Sequence, residues 1–521
     1  MNVKVPQIAA MALFCLVGSA KAATLQVDDD GMECPMAGHT TIVSALAAAA
    51  PSGDTIEVCP GTYSIGASVE VTKSVIIDGT DRDTVFVNAD TNSTFGFHVR
   101  IGDVTISDLT IRSTGGATAT NGIRFEETLA MTPLDNLVVD NVVFDGFDDL
   151  SARGIEMHLG TFNDFTVRDS QFLNNRNGIR FGSDTVLDGM VLTGSTFMRS
   201  SNTADFCCNG LYQANDGNTS TFRGLQASNN TFTNYALAGM FIEEIRDSTI
   251  EMNEFTDNYT GIIIFKDYTN AMGTEVQGVV ISDNTFNDNT GRAVFLQATG
   301  RGLGTGNQVV DNDIFVDASL APFSNLGSIQ ANLDGSLSHE LLTLSGNNIT
   351  FSGSLAMDRN LYGIHLRGDG PVDITLGNLD GGPVVPSGTG AFAGIFVDSN
   401  NSTYSAREDA VNVSCNTISG FDEGIRVFDT ANGVIGGLGS GVTFDVMTND
   451  IAGNTSFGIN NGGTSETIDA DSNYWGDSSG PSGAGPGSGD AISTNVDASS
   501  PLFGVQVNCT VPVDLMQFEV D

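Results

Sequence analysis

One tryptophan, thirteen prolines and only four lysines among 521 residues set the first limits. With 21 Lys+Arg against 63 Asp+Glu the formal charge is −42, so no extended basic face exists to neutralise phosphates and nucleic-acid binding is excluded. Beyond the first twenty residues no run approaches the roughly 18 consecutive apolar residues of a membrane helix, and no membrane span is expected. Helical 3.6 periodicity is also absent between the apolar segments, which removes alternating strand and helix architectures. What remains is abundant glycine, 62 residues, with 40% hydrophobic side chains recurring along the whole chain, the composition of a turn-rich β protein rather than a disordered one.

Residues 1–22 read as a signal peptide. Lys4 precedes an apolar run from Ile8 to Val17, and Ala20-Lys21-Ala22 places small residues at the two positions a signal peptidase reads, so cleavage is expected before Ala23. Cys15 lies inside that run without the small residue a lipid anchor needs before it. Export to the medium, the cell surface or the periplasm permits disulfides among the six remaining cysteines. Cys34 and Cys59 share the first structural unit and are the expected pair; the pairing of Cys207, Cys208, Cys415 and Cys509 stays open. No Cys-x-x-Cys occurs and no histidine stands at ligand spacing, so no metal centre is expected from the cysteines.

One pattern recurs over most of the chain: a polar residue, often Asn, then one residue, then Phe, Ile or Val, and later Gly opening an alternating apolar run. Asn253-Glu254-Phe255 leading to Gly261-Ile262-Ile263-Ile264 is one instance, and Asn416-Thr417-Ile418 leading to Gly424-Ile425-Arg426-Val427 another. Twelve anchors between Gly122 and Gly458 stand about 30 residues apart, too short for more than two or three brief strands and their turns. The fold class is therefore all-β: about 12 coils stacked as parallel sheets in a single solenoid over residues 23–510, with 511–521 as a tail or final strand; the resemblance given below makes it a right-handed parallel β-helix. Asn141, Asn230, Asn253, Asn284, Asn312, Asn347, Asn416 and Asn449 are expected to stack as a hydrogen-bonded ladder at one bend, with Ser170 and Ser195 in the same slot. Ile42, Val43, Leu46 and Ala49 within Thr41–Ala50 would lay the apolar face of a capping helix over the first coil.

The opening Gly53-Asp54-Thr55-Ile56-Glu57-Val58-Cys59-Pro60-Gly61-Thr62-Tyr63 and Ile76-Ile77-Asp78-Gly79, with Asn473-Tyr474-Trp475-Gly476-Asp477-Ser478-Ser479-Gly480-Pro481 near the end, resemble secreted right-handed parallel β-helix proteins of the pectin-lyase-like superfamily. The resemblance implies the fold. It leaves activity open, because that superfamily holds lyases, hydrolases, esterases, epimerases and non-enzymatic binders. Of the polygalacturonase signatures only Asp148-Asp149 is present, a Trp-x-Asp-His cannot exist around Trp475, and Ile65 stands where a pectin methylesterase opening needs an acid.

In each Gly-Ile-x-x run strand alternation turns the residue after Ile outward. That row reads Arg124, Glu156, Arg180, Tyr212, Phe241, Ile263, Phe295, Gln330, His365, Phe396, Arg426 and Asn460, and the next outward row includes Glu126, His158, Phe265, Arg367 and Asp398. Rings in line beside arginines suit a glycan groove, which makes Tyr212, Phe241, Phe295, His365, Arg367, Phe396 and Arg426 the candidate carbohydrate-binding residues. The competing reading is a satellite core under long loops. Arg124, Glu156, His158 and Arg180 are weak catalytic candidates, because β-elimination on a uronic acid needs a cation, a base and an acid. An Arg124-Glu156-Arg180 ion-pair ladder is the alternative. Asp28-Asp29-Asp30 and Asp145, Asp148 and Asp149 offer oxygen ligands for Ca²⁺, but without a defined ligand loop a solvated acidic turn is the preferred reading and no other cofactor is expected. The sequence thus points to an exported monomer that binds extracellular polysaccharide, with a polysaccharide lyase or glycoside hydrolase, or a structural surface protein or adhesin, as alternatives.

Overall fold

The structure is a computed structural model and describes residues 22–506 and Cys509, apart from 90–94, 115–120, 128–131, 150–151, 183, 201–207, 214–220, 267–275, 300–302, 322–325, 335–338, 356–358, 369, 385–389, 399–409, 428–443 and 463–466. Residues 1–21 of the expected signal peptide, the 511–521 tail and Cys207 lie outside the described residues. Three parallel sheets of 17, 16 and 14 strands run the length of the chain, each strand pairing with its equivalent one coil away. Ser74–Gly79 opens onto Val104–Ser107, Gly61–Ile65 onto Val85–Ala89, and Val69–Val71 onto Phe95–Val99, all in parallel. The chain is a single right-handed parallel β-helix.

Twelve coils is an underestimate. The sheet that carries the Gly-Ile-x-x runs also contains Val69–Val71 and Phe95–Val99 ahead of the Gly122 anchor. The first lacks a glycine, and neither follows an Asn-x-Phe triplet, which is why the repeat pattern passes over them.

The glycine anchors have a steric cause. Phe144, Phe172, Phe197, Phe232, Phe255 and Phe286 stack inside the helix with ring centroids 4.4–5.0 Å apart. Each ring lies over the glycine of the preceding coil: a Cβ at Gly178 would come 2.5 Å from Phe197 Cδ1. Where the stack ends and Ile314 follows Phe286 in register, the anchor becomes Ala293. Packing between coils therefore dictates the glycine, not backbone conformation.

At the bend before this Phe row a left-handed residue, such as Asp283 (φ 54) or Asp311 (φ 54), turns the chain and the next residue points inward. Asn253 N–H and Nδ2 both donate to Asn284 Oδ1 at 3.0 Å, and Asn284 repeats the pair of bonds to Asn312 Oδ1. Ser170 and Ser195 occupy the same slot, linked through Ser170 N–H to Ser195 Oγ and Ser195 N–H to Asn230 Oδ1. Asn141 does not belong to the ladder. It is itself the left-handed residue (φ 54), and Val142 fills the slot, donating its N–H to Ser170 Oγ. Asn tolerates positive φ better than most residues, so an Asn beside the slot imitates one in it. Asn473 extends the ladder past Asn449, and Trp475, two residues on, is fully buried as the last member of the inward row.

The helix spans Ile42–Ala48 with Thr41 as N-cap, its hydroxyl accepting from Ser44 N–H. Ile42, Ala45, Leu46 and Ala49 are buried, whereas Val43 is 55% exposed. Val43 was expected on the apolar face, but the i, i+3, i+4, i+7 stripe from Ile42 takes Ala45 instead. Lys73 Nζ donates to the carbonyls of Leu46, Ala47 and Ala49 and closes the helix C-terminus. Cys34 and Cys59 are bridged as expected, Cα–Cα 6.3 Å, tying the segment ahead of the helix to the first coil. A second bridge, Cys415–Cys509, pins the chain end to the stack.

Candidate functional site

The sheet of Gly-Ile-x-x runs presents three outward rows whose register follows strand by strand. Glu70 stands beside His98, His98 beside Arg124, Arg124 beside Glu156, and Glu156 beside Arg180. Tyr212, Phe241, Ile263 and Phe295 continue the line, then Gln330, His365, Phe396 and Arg426.

At the N-terminal end the row closes into an ionic network. Glu156, only 5% exposed, receives Asn121 Nδ2 at 2.7 Å, Arg180 Nη1 at 3.2 Å, and Arg124 Nη1 and Arg153 Nε each at 3.6 Å. Glu126 Oε2 takes Arg124 Nε at 2.8 Å and His98 Nε2 at 3.2 Å, and the other ring nitrogen of His98 lies 2.9 Å from Glu70 Oε1. The inter-coil ladder of Arg124, Glu156 and Arg180 is therefore present. Burial, with the neighbouring Arg180 charge, lowers Arg153 to about 10, still cationic at neutral pH. His158 sits over Gly182, and burial, followed by the Arg124 charge, holds its imidazole below the ordinary value. A neutral ring among guanidiniums is what remains of the proposed catalytic set, because the Glu156 carboxylate is committed to four donors.

The middle of the row is aromatic. Tyr212 and Phe241 meet edge to face at 5.5 Å, Phe241 and Phe265 lie 6.1 Å apart, and the Arg292 guanidinium covers the Phe295 ring at 4.4 Å. All four rings are half-buried, whereas Ile263 between them is buried.

Toward the C-terminus the expected binding surface is enclosed. Phe396 is 1% exposed and stacks on Tyr362 at 4.4 Å, and His365 is 3% exposed with Nε2 3.9 Å from Asp398 Oδ2. Tyr362, Ala393 and Phe396 form a satellite core of their own. A ring with no free face cannot stack a sugar, so Phe396 and His365 leave the list of surface groups, while Arg367 and Arg426 remain half-buried at its edge. Arg426 Nη1 pairs with Glu423 Oε2 at 3.1 Å.

Three residues of the acidic turns have local partners. Asp28 accepts the N–H groups of Asp30, Gly31 and Cys34, and Asp29 accepts that of Thr62. Carboxylate oxygens of Asp28, Asp29, Asp30 and Glu33 do lie within 4.8 Å of one another. Asp148 pairs with Arg199 at 2.7 Å.

Sequence reasoning missed Glu70, His98, Asn121 and Arg153. Gly96-Phe97-His98-Val99 aligns with Gly122-Ile123-Arg124-Phe125 and would have extended the row to His98. Arg153 and Asn121 belong to a third outward row, two residues before the Ile, that the pattern did not read.

Residues 153–336 match the family described as right handed beta helix region. No curated protein matches the sequence. Among solved structures the chain is similar to the Dettilon tailspike protein (15% identity, 72% of this chain and 68% of that one, TM-score 0.45). It is also similar to the A-module of mannuronan C-5 epimerase AlgE4 of Azotobacter vinelandii (15%, 82% and 93%, TM-score 0.43). A third is the catalytic domain of Agl-KA (16%, 75% and 70%, TM-score 0.44). The match agrees with what the three parallel sheets show, a right-handed parallel β-helix.

Proposed function

We propose that the protein binds an acidic extracellular polysaccharide along the outward face of the Gly-Ile-x-x sheet. One observation carries this reading. On a chain of charge −42, seven of the seventeen arginines (Arg100, Arg124, Arg153, Arg180, Arg292, Arg367 and Arg426) and three of the five histidines stand on this one face, beside four half-exposed rings. Rings supply stacking area and guanidiniums supply forked donors to carboxylates, the combination a charged sugar chain requires. Tyr212, Phe241, Phe265 and Phe295 form the platform, and the cluster around Arg124 and Arg180 sets its charged end.

Depolymerisation is the second reading, favoured by His158, whose imidazole is held neutral beside Arg124 and Arg180. Export through residues 1–22 and life as a monomer complete the proposal. Among the described residues two disulfides support an oxidising compartment, and no helix is long and apolar enough to cross a membrane. Titrating the purified protein with acidic and neutral polysaccharides, while following unsaturated products and reducing ends, tests both readings. Binding of acidic chains without turnover is the expected result; turnover abolished by His158→Ala would establish the second reading instead, and no binding at all would end both.

A further inference from the structure

We propose that Arg100 heads a separate oxyanion site, a cleft beside the groove that takes a carboxylate or sulfate substituent of the bound glycan. The inference rests on the glycan reading above and adds a subsite to it. Arg100 follows the strand Phe95–Val99 directly; Val99 pairs with Val71 on one side and Phe125 on the other, which sets Thr72 and Glu126 on either side of Arg100. Glu126 is the counter-ion that position calls for, yet its Oε2 is turned away to Arg124 Nε at 2.8 Å and His98 Nε2 at 3.2 Å. Arg100 is left without a carboxylate among the described residues, and its Nε, shut off from water, meets no acceptor.

Arg100 lines a cleft of about 490 Å³ together with Thr72, Ile101, Gly102, Thr132, Pro133 and Leu134. Among the described residues no acid lines it, on a chain with 63 acids. A planar fork of N–H donors with the Thr72 and Thr132 hydroxyls at hand fits a carboxylate or a sulfate ester, each of which presents paired oxygens. The remaining wall is apolar, which strengthens a charge-assisted bond by excluding water.

The test compares wild type with Arg100→Gln by calorimetric titration against an oligouronate, a sulfated neutral glucan and the same glucan unsulfated. In parallel, melting is followed in sodium sulfate and in sodium chloride at equal ionic strength. Loss of one charge-assisted contact predicts affinity about tenfold lower in the variant for the anionic chain the cleft accepts, with the unsulfated glucan unaffected. A loss confined to the oligouronate identifies a carboxylate ligand, and one confined to the sulfated glucan a sulfate ester. Sulfate should also raise the wild-type melting temperature more than chloride does, and Arg100→Gln should shrink that difference to the part that sulfate's general exclusion from protein surfaces supplies. If wild type binds no glycan but the sulfate effect depends on Arg100, the platform fails while the anion site stands. Equal affinities and equal sulfate responses in the two proteins would overturn the inference.

Discussion

Phe396 lies flat against Tyr362, ring centroids 4.4 Å apart and planes 29° from parallel, and each ring is 1% exposed. The same outward row, six strands earlier, leaves Tyr212 half-exposed against the edge of Phe241. One row of a repeat thus changes from surface to core along its length.

The two rings should respond oppositely to truncation. Phe396→Ala opens a cavity in the satellite core and should cost about 3–5 kcal/mol of stability. Tyr212→Ala should leave melting nearly unchanged and weaken binding to acidic polysaccharide by severalfold. Thermal melts and titrations on both variants check this, and a large stability loss in Tyr212→Ala would mean that the platform is a covered core.

The asparagine ladder should be costly to interrupt. Asn284→Ala leaves the buried Asn253 N–H and Ile250 carbonyl without their side-chain partner, while the backbone N–H of residue 284 still reaches Asn312 Oδ1, for an expected loss of about 2–4 kcal/mol in denaturant unfolding. Asn284→Ser should recover part of it, because Ser195 already accepts a backbone N–H in this slot. Equal stability of the Ala and Ser variants would show that side-chain acceptance contributes little here.

Both bridges should matter, the second more. The Cys34–Cys59 pair spans 25 residues and the Cys415–Cys509 pair 94. Under the chain-entropy account, removing them costs about 3.5 and 4.7 kcal/mol respectively. Double-serine variants compared by chemical denaturation give both values, and non-reducing peptide mapping should recover each linked pair.

Burial holds the His365 imidazole below its ordinary value, with Asp398 opposing the shift and Arg367 and Arg292 adding to it. A histidine whose folded pKa is depressed contributes stability that is complete above its unfolded value, near 6.5, and is lost as pH falls through it. Between about pH 7.5 and 5.5 the wild-type melting temperature should therefore fall more steeply than that of His365→Gln. Parallel curves would show that this ring does not titrate against folding.

The sequence by itself determined the solenoid, because a stack of coils repeats its chemistry in register. Asn253 and Asn284 are legible as a ladder, and the glycine anchors as a row, since each coil imposes the same contact on the next. The Cys34–Cys59 bridge was equally legible, both residues falling within one unit. What the tertiary structure alone decided are the departures from that register. Asn141 and Val142 exchange roles through a backbone angle that composition does not reveal. Whether Phe396 faces solvent or Tyr362 depends on a residue 34 positions away, and whether Arg100 keeps a counter-ion depends on which way the Glu126 carboxylate turns. Periodicity assigns a side chain to a row; only the packing between rows settles what it touches.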